Sequence, residues 1–107
     1  MKWFNREKRV WALLGTACAH SNDLQYPSGE KHAFLVMVSS DEKHVQGKVI
    51  ALLNSNGWNN VSIERVKTLH RPFHNDDPDM IRCYEAATLK DGGIIIYSDP
   101  ILDLPAT

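Results

Sequence analysis

His70 and His74, with Asp76, Asp77 and Asp79 close behind, form the densest group of potential ligands and proton carriers in the chain. Imidazole and carboxylate together suit zinc or a harder divalent ion. Pro72 lies between the histidines and prevents a helical i, i+4 pair. Spacing fixes no third or fourth ligand, and the three aspartates are explained by the start of a helix. A small metal-dependent or hydrolytic enzyme using His70, His74 and these acids is thus the alternative function. The leading expectation is a protein that is no enzyme and binds no metal or other cofactor.

Cys18 and His20 are two apart, which on a strand places them on one face, as a thiolate–imidazole pair would require. No third group or oxyanion hole can be named beside them, so Cys18 is expected to pack inward. With Cys83 it makes only two cysteines, too few for a disulfide framework and without metal-ligand spacing. Gly92-Gly93 precedes a strand rather than a helix, so it cradles no phosphate, and nucleophile-elbow, P-loop and dinucleotide fingerprints are lacking. Trp3, Phe4 and Trp11, interleaved with Lys2, Arg6, Lys8 and Arg9, could stack bases and meet phosphates. A formal net charge of −1 supplies no general field for nucleic acid, and an arm packing its tryptophans on a sheet is the simpler reading.

The elements that must position these residues are legible from pattern. Val10–Ala19 reads as a strand. Its small residues Gly15, Ala17 and Ala19 suggest a helix close over it. A polar loop with turn chemistry at Tyr26-Pro27-Ser28-Gly29 leads to a second strand, His32–Val38. That run is apolar on both faces and so is expected to be central. Ser39 and Glu42 have capping-box spacing ahead of a helix with Val45, Val49, Leu52 and Leu53 on one face. Gly47 inside it is tolerable if the helix lies close on the sheet. Asn56-Gly57 ends that helix, letting Trp58 fold back on it.

A third strand, Asn60–Leu69, alternates through Val61 and Ile63 but then slips phase, which predicts a bulge near Glu64-Arg65. Asp77-Pro78 opens a second helix, with Asp77 as N-cap. Ile94–Tyr97 is a fourth strand. The order ββαβαβ predicts an α+β fold of one domain spanning 1–107. Right-handed crossovers would put both helices on one face of a four-stranded sheet, a two-layer sandwich related to ferredoxin-like folds. The opposite face would then be polar, covered by the termini or used for binding or dimerisation.

Charge is unevenly spread. From Asn75 to Thr107 seven acids face two basic residues, a net of −5, so the preceding residues carry +4. Asp76, Asp77, Asp79, Glu85 and Asp91 are accordingly the expected contacts for a basic partner. The first residues imitate an export signal: a basic Met1–Arg9, a mostly apolar Val10–Ala17, and the small triplet Ala17-Cys18-Ala19. Gly15 and Thr16 interrupt the apolar run, Glu7 sits in the basic part, and a strand explains the same residues. No run approaches the ~20 apolar residues of a membrane span. The expectation is a cytoplasmic protein that meets neither membrane nor nucleic acid.

Gly57-Trp58, Val61-Ser62-Ile63-Glu64, Tyr84-Glu85-Ala86-Ala87, Gly92-Gly93-Ile94 and Ile96-Tyr97 together resemble small uncharacterised bacterial proteins of similar length. More loosely they resemble the stand-alone immunity proteins of contact-dependent and polymorphic toxin systems. The likeness covers most of residues 30–100 and rests on helix caps, a core tryptophan and a core strand. It implies a cytoplasmic inhibitor that neutralises a cognate toxin, such as a basic nuclease, by surface contact. It carries no catalytic residue over.

Overall fold

The computed structural model describes residues 9–20, 26–70 and 73–102. The aromatic, basic segment before Arg9 therefore lies outside the described residues, as does Asp103. The elements are β1 (Arg9–Ala19), β2 (Lys31–Ser40), α1 (Val45–Ser55), β3 (Trp58–Thr68), α2 (Pro78–Leu89) and β4 (Gly93–Pro100). They make an α+β fold with one open sheet in the order β3-β1-β2-β4, antiparallel at every pairing. The element order ββαβαβ and the interior position of β2 agree with expectation.

The two helices do not share a face. Val45, Val49 and Leu53 of α1 cluster with Trp11, Leu13, Phe34, Val36 and Val38. Cys83 and Ala87 of α2 cluster with Val10, Leu35 and Met37, the alternate residues of the same two strands. Since successive side chains of a strand point to opposite faces, the sheet is sandwiched between the helices. The predicted two-layer arrangement is corrected to three layers. The cause is strand direction. β2 and β3 are both antiparallel to β1, hence parallel to each other, and α1 between them is a true parallel crossover. β4 is antiparallel to β2, hence to β3, so the handedness rule does not constrain α2.

Local chemistry explains the boundaries. Ser39 stays in β2, and the predicted capping box does not form: His44 is the N-cap and its side chain makes no capping hydrogen bond. Asp41 instead closes the turn ahead of α1, accepting from the backbone N–H of His44 at 3.0 Å. Gly57 takes the left-handed conformation (φ 91°) that ends α1 and lets Trp58, 4% exposed, enter the core. Asp77 caps α2, accepting from Asp79 N–H at 2.9 Å, with Pro78 in the first turn.

The β1–β3 register slips where Leu14 meets Arg65 and Gly15 meets Ile63, which is the bulge predicted at Glu64-Arg65. Gly15 is small because of that bulge and not because of a helix. A Cβ there would run into the Ser62 carbonyl oxygen and come within 2.9 Å of the Phe34 ring. A second irregularity follows between Thr16 and Cys18, beside Asn60, whose φ of 52° is unusual for a side chain-bearing residue.

Candidate binding surfaces

The acids expected to meet a partner are all exposed. Asp76, Asp77 and Asp79 cluster at the start of α2. Glu85 points outward from its middle, between Ile81 and Leu89 on the solvent-facing line of the helix. Asp91 lies beyond its C-terminal end. A helix of 12 residues separates its two ends by roughly 18 Å, so the five carboxylates are strung along the helix and its flanks, with Arg82 and Lys90 interspersed. Asp79 is bridged by Arg82 at 2.9 Å. Asp76, Glu85 and Asp91 have no ion-pair partner among the described residues.

His70 and His74 are both exposed, and among the described residues no three His, Cys, Asp or Glu side chains gather as a metal site would require. Several neighbours in that region do structural work instead. Asn75 accepts from Asp77 N–H at 2.8 Å, and Asp77 caps the helix. Phe73, between the histidines and the acids, stacks on Tyr84 with ring centroids 4.6 Å apart.

Cys18 and His20 do not act as a pair. His20 Nδ1 accepts from the Asn59 side-chain amide at 3.1 Å. Cys18 is half-buried on the sheet face that carries α2, and so is not the inward-packed thiol expected. The other thiol, Cys83, is buried between α2 and the sheet, and that burial pushes its pKa up.

Pattern reading missed a concave part of the sheet. α2 covers β2, β4 and part of β1, and among the described residues nothing covers the β3 side of that face toward the Ala19 end of β1. The result is an open groove of about 680 Å³ bordered by Thr16, Cys18, Lys31, Asn60, Ser62 and Tyr97. Its described wall is mixed apolar and polar, with Lys31 and Glu64 as its charges, no second carboxylate and no histidine. Only the sheet order brings β3 beside β1 to form it, so no local sequence signal announces it.

A buried polar node was also missed. His32, fully buried, lies 2.8 Å from the Tyr97 carbonyl through Nδ1 and 2.8 Å from Glu30 Oε1 through Nε2. Tyr26 tilts over the ring at 4.2 Å between centroids, and Trp58 meets it edge-on at 5.7 Å. The carbonyl can only accept, so Nδ1 is the donor to it, while Nε2 meets the Glu30 carboxylate. This node pins β4 where its register slips between His32 and Phe34.

No known protein family, no curated protein and no solved structure matches this chain. Among the described residues no helix is long and apolar enough to cross a membrane.

Proposed function

We propose that the chain is a non-enzymatic binding protein, most concretely a cytoplasmic immunity-type inhibitor that neutralises a cognate bacterial toxin domain. The supporting observation is the stripe of exposed carboxylates on α2 and its flanks, of which only Asp79 is ion-paired. Exposed charge of one sign stabilises a fold little, but it accelerates encounter with a complementary basic surface and disfavours wrong partners. Ile81 and Leu89, 39% and 79% exposed on the same line as Glu85, add apolar area to this surface. Aliphatic contacts inside a charged rim are the usual anatomy of a protein interface. A basic nuclease domain has the matching chemistry.

The test is co-expression with the product of the neighbouring reading frame, followed by binding measurements on the purified pair. Protection of the host and a stable complex are expected. The triple variant Asp76→Lys, Asp77→Asn, Asp79→Lys keeps an N-cap oxygen while inverting the cluster's charge. It should weaken binding at least tenfold and flatten the salt dependence of association. Affinity unchanged in this variant would sink the acidic-surface reading, and absence of both protection and complex would sink the inhibitor reading.

A further inference from the structure

We propose that the chain self-associates through the outer edge of β4, with Tyr97 of each copy filling a notch beside Gly93 of the other. This inference rests on different observations from the acidic-surface reading, although Asp79 borders both surfaces. β4 is the last strand of the sheet, so its outer backbone groups have no strand partner among the described residues. The two edges are not equivalent. β3 is broken by two register slips and carries Glu64, Arg65 and Lys67, features that discourage edge pairing. β4 holds Gly93-Ile94-Ile95-Ile96-Tyr97-Ser98, β-branched at its centre and without charge from Gly92 to Ser98.

The partner is a second copy because the edge is complementary to itself. In an antiparallel pair related by a two-fold axis through Ile95, Ile94 faces Ile96 of the other copy and Gly93 faces its Tyr97. Opposed residues share a sheet face, so that tyrosine arrives on the α2 side. The same face at that point carries an open notch of about 400 Å³ walled by Asp79, Arg82, Cys83, Ala86 and Gly93. Cys83, Ala86 and Gly93 are small, and Asp79 and Arg82 stand at the rim. Tyr97 is 41% exposed and lies on that side of its strand, where it borders the sheet groove. Adjacent strands lie ~4.8 Å apart, which sets the incoming ring beside Gly93 rather than over it. The Arg82 guanidinium is then available to the ring face and the Asp79 carboxylate to the phenol hydroxyl.

Charge is compatible throughout the central stretch, since uncharged residues meet uncharged residues. The contact is one short strand and one aromatic knob per copy, below the ~1,200 Å² typical of stable pairs. It therefore describes a concentration-dependent dimer rather than a permanent one.

Sedimentation equilibrium of the full chain from micromolar to millimolar concentration provides the test, with hydrogen exchange at residues 93–97 recorded across the same range. A monomer–dimer equilibrium with slower exchange at Ile94 and Ile96 in the dimer is expected. Tyr97→Ser, which removes the knob, and Ala86→Leu, which fills the notch from outside the core, should each weaken the dimer at least tenfold. Their melting curves check that the fold is retained. A monomer up to millimolar concentration overturns the proposal. So does a dimer indifferent to both substitutions, which would place the contact on the acidic stripe or in the sheet groove.

Discussion

Replacing His32 with leucine tests the buried node most sharply. Leucine has nearly the volume of the ring, so cavity formation is a minor contribution and the loss is polar. The Tyr97 carbonyl loses its 2.8 Å donor in a site with little water, which costs about 1–3 kcal/mol. Glu30 loses its 2.8 Å contact too, but its side chain is 31% exposed and can rehydrate, so that loss is about 0–1 kcal/mol. Together the substitution should cost roughly 2–3 kcal/mol. For a domain of this size that lowers Tm by on the order of 10–20 °C.

Glu30→Gln offers a matched control. The glutamine amide N–H can donate to Nε2 of the neutral ring while Nδ1–H keeps the Tyr97 carbonyl, so the cost should stay below about 1 kcal/mol. Urea titrations of the three proteins, followed by tryptophan fluorescence with Trp58 beside the ring, read both values. A His32→Leu cost below about 0.5 kcal/mol, no more than an ordinary surface change, would refute the assignment of His32 as the pin of β4. So would a Glu30→Gln cost as large as that of His32→Leu.

The two glycines with opposite surroundings should respond oppositely. Gly15→Ala drives a methyl into the Ser62 carbonyl and the Phe34 ring and should cost about 2–3 kcal/mol. Gly47→Ala in α1 meets nothing within 4 Å and should stabilise by ~0.5–1 kcal/mol; thermal unfolding of each variant decides. Of the two thiols, Cys18 borders the groove while Cys83 is buried with its pKa raised. A disulfide reagent should therefore titrate one thiol in the folded protein and the second only in denaturant, and two equally fast thiols would contradict the packing of α2. Asp41 accepts hydrogen bonds from the side chain and backbone of His44, which hold its pKa below the ordinary carboxylate value. Its contribution is thus present above that value and lost as pH falls through the lowered one. Asp41→Asn should remove this step from the acid limb of stability, and an unchanged limb would contradict it.

Much of the fold could be read from local chemistry. Proline and aspartate at the start of α2, Asn56-Gly57 at the end of α1 and the phase slip at Glu64-Arg65 each act through neighbouring residues, so the sequence contains them directly. The arrangement of layers depends on strand direction, which no local pattern encodes. Yet β2 held the clue. Phe34, Val36 and Val38 alternate with Leu35 and Met37, and a strand apolar on both faces needs cover on both. The handedness rule applies to parallel strands, and the connection through α2 joins antiparallel ones.

The candidate surfaces divide the same way. Exposure of the acids follows from helix periodicity in α2. The separation of Asp91 from the Asp76–Asp79 cluster needed the helix's placement in space. His32 was hidden because its partners, Glu30 and the Tyr97 carbonyl, come together only when β4 docks on β2. The missing capping box at α1 shows the limit of spacing arguments: Ser39 fits the motif, but it is committed to the β2 ladder.

The most direct measurement is a ¹⁵N–¹H correlation titration of the labelled chain with the purified product of the neighbouring reading frame. The account predicts that shifts and line broadening concentrate on residues 76–91, strongest around Asp76, Asp79 and Glu85, and fade as salt is raised. Perturbations confined to Thr16, Cys18, Asn60 and Ser62 in the sheet groove, or none at all, would contradict it.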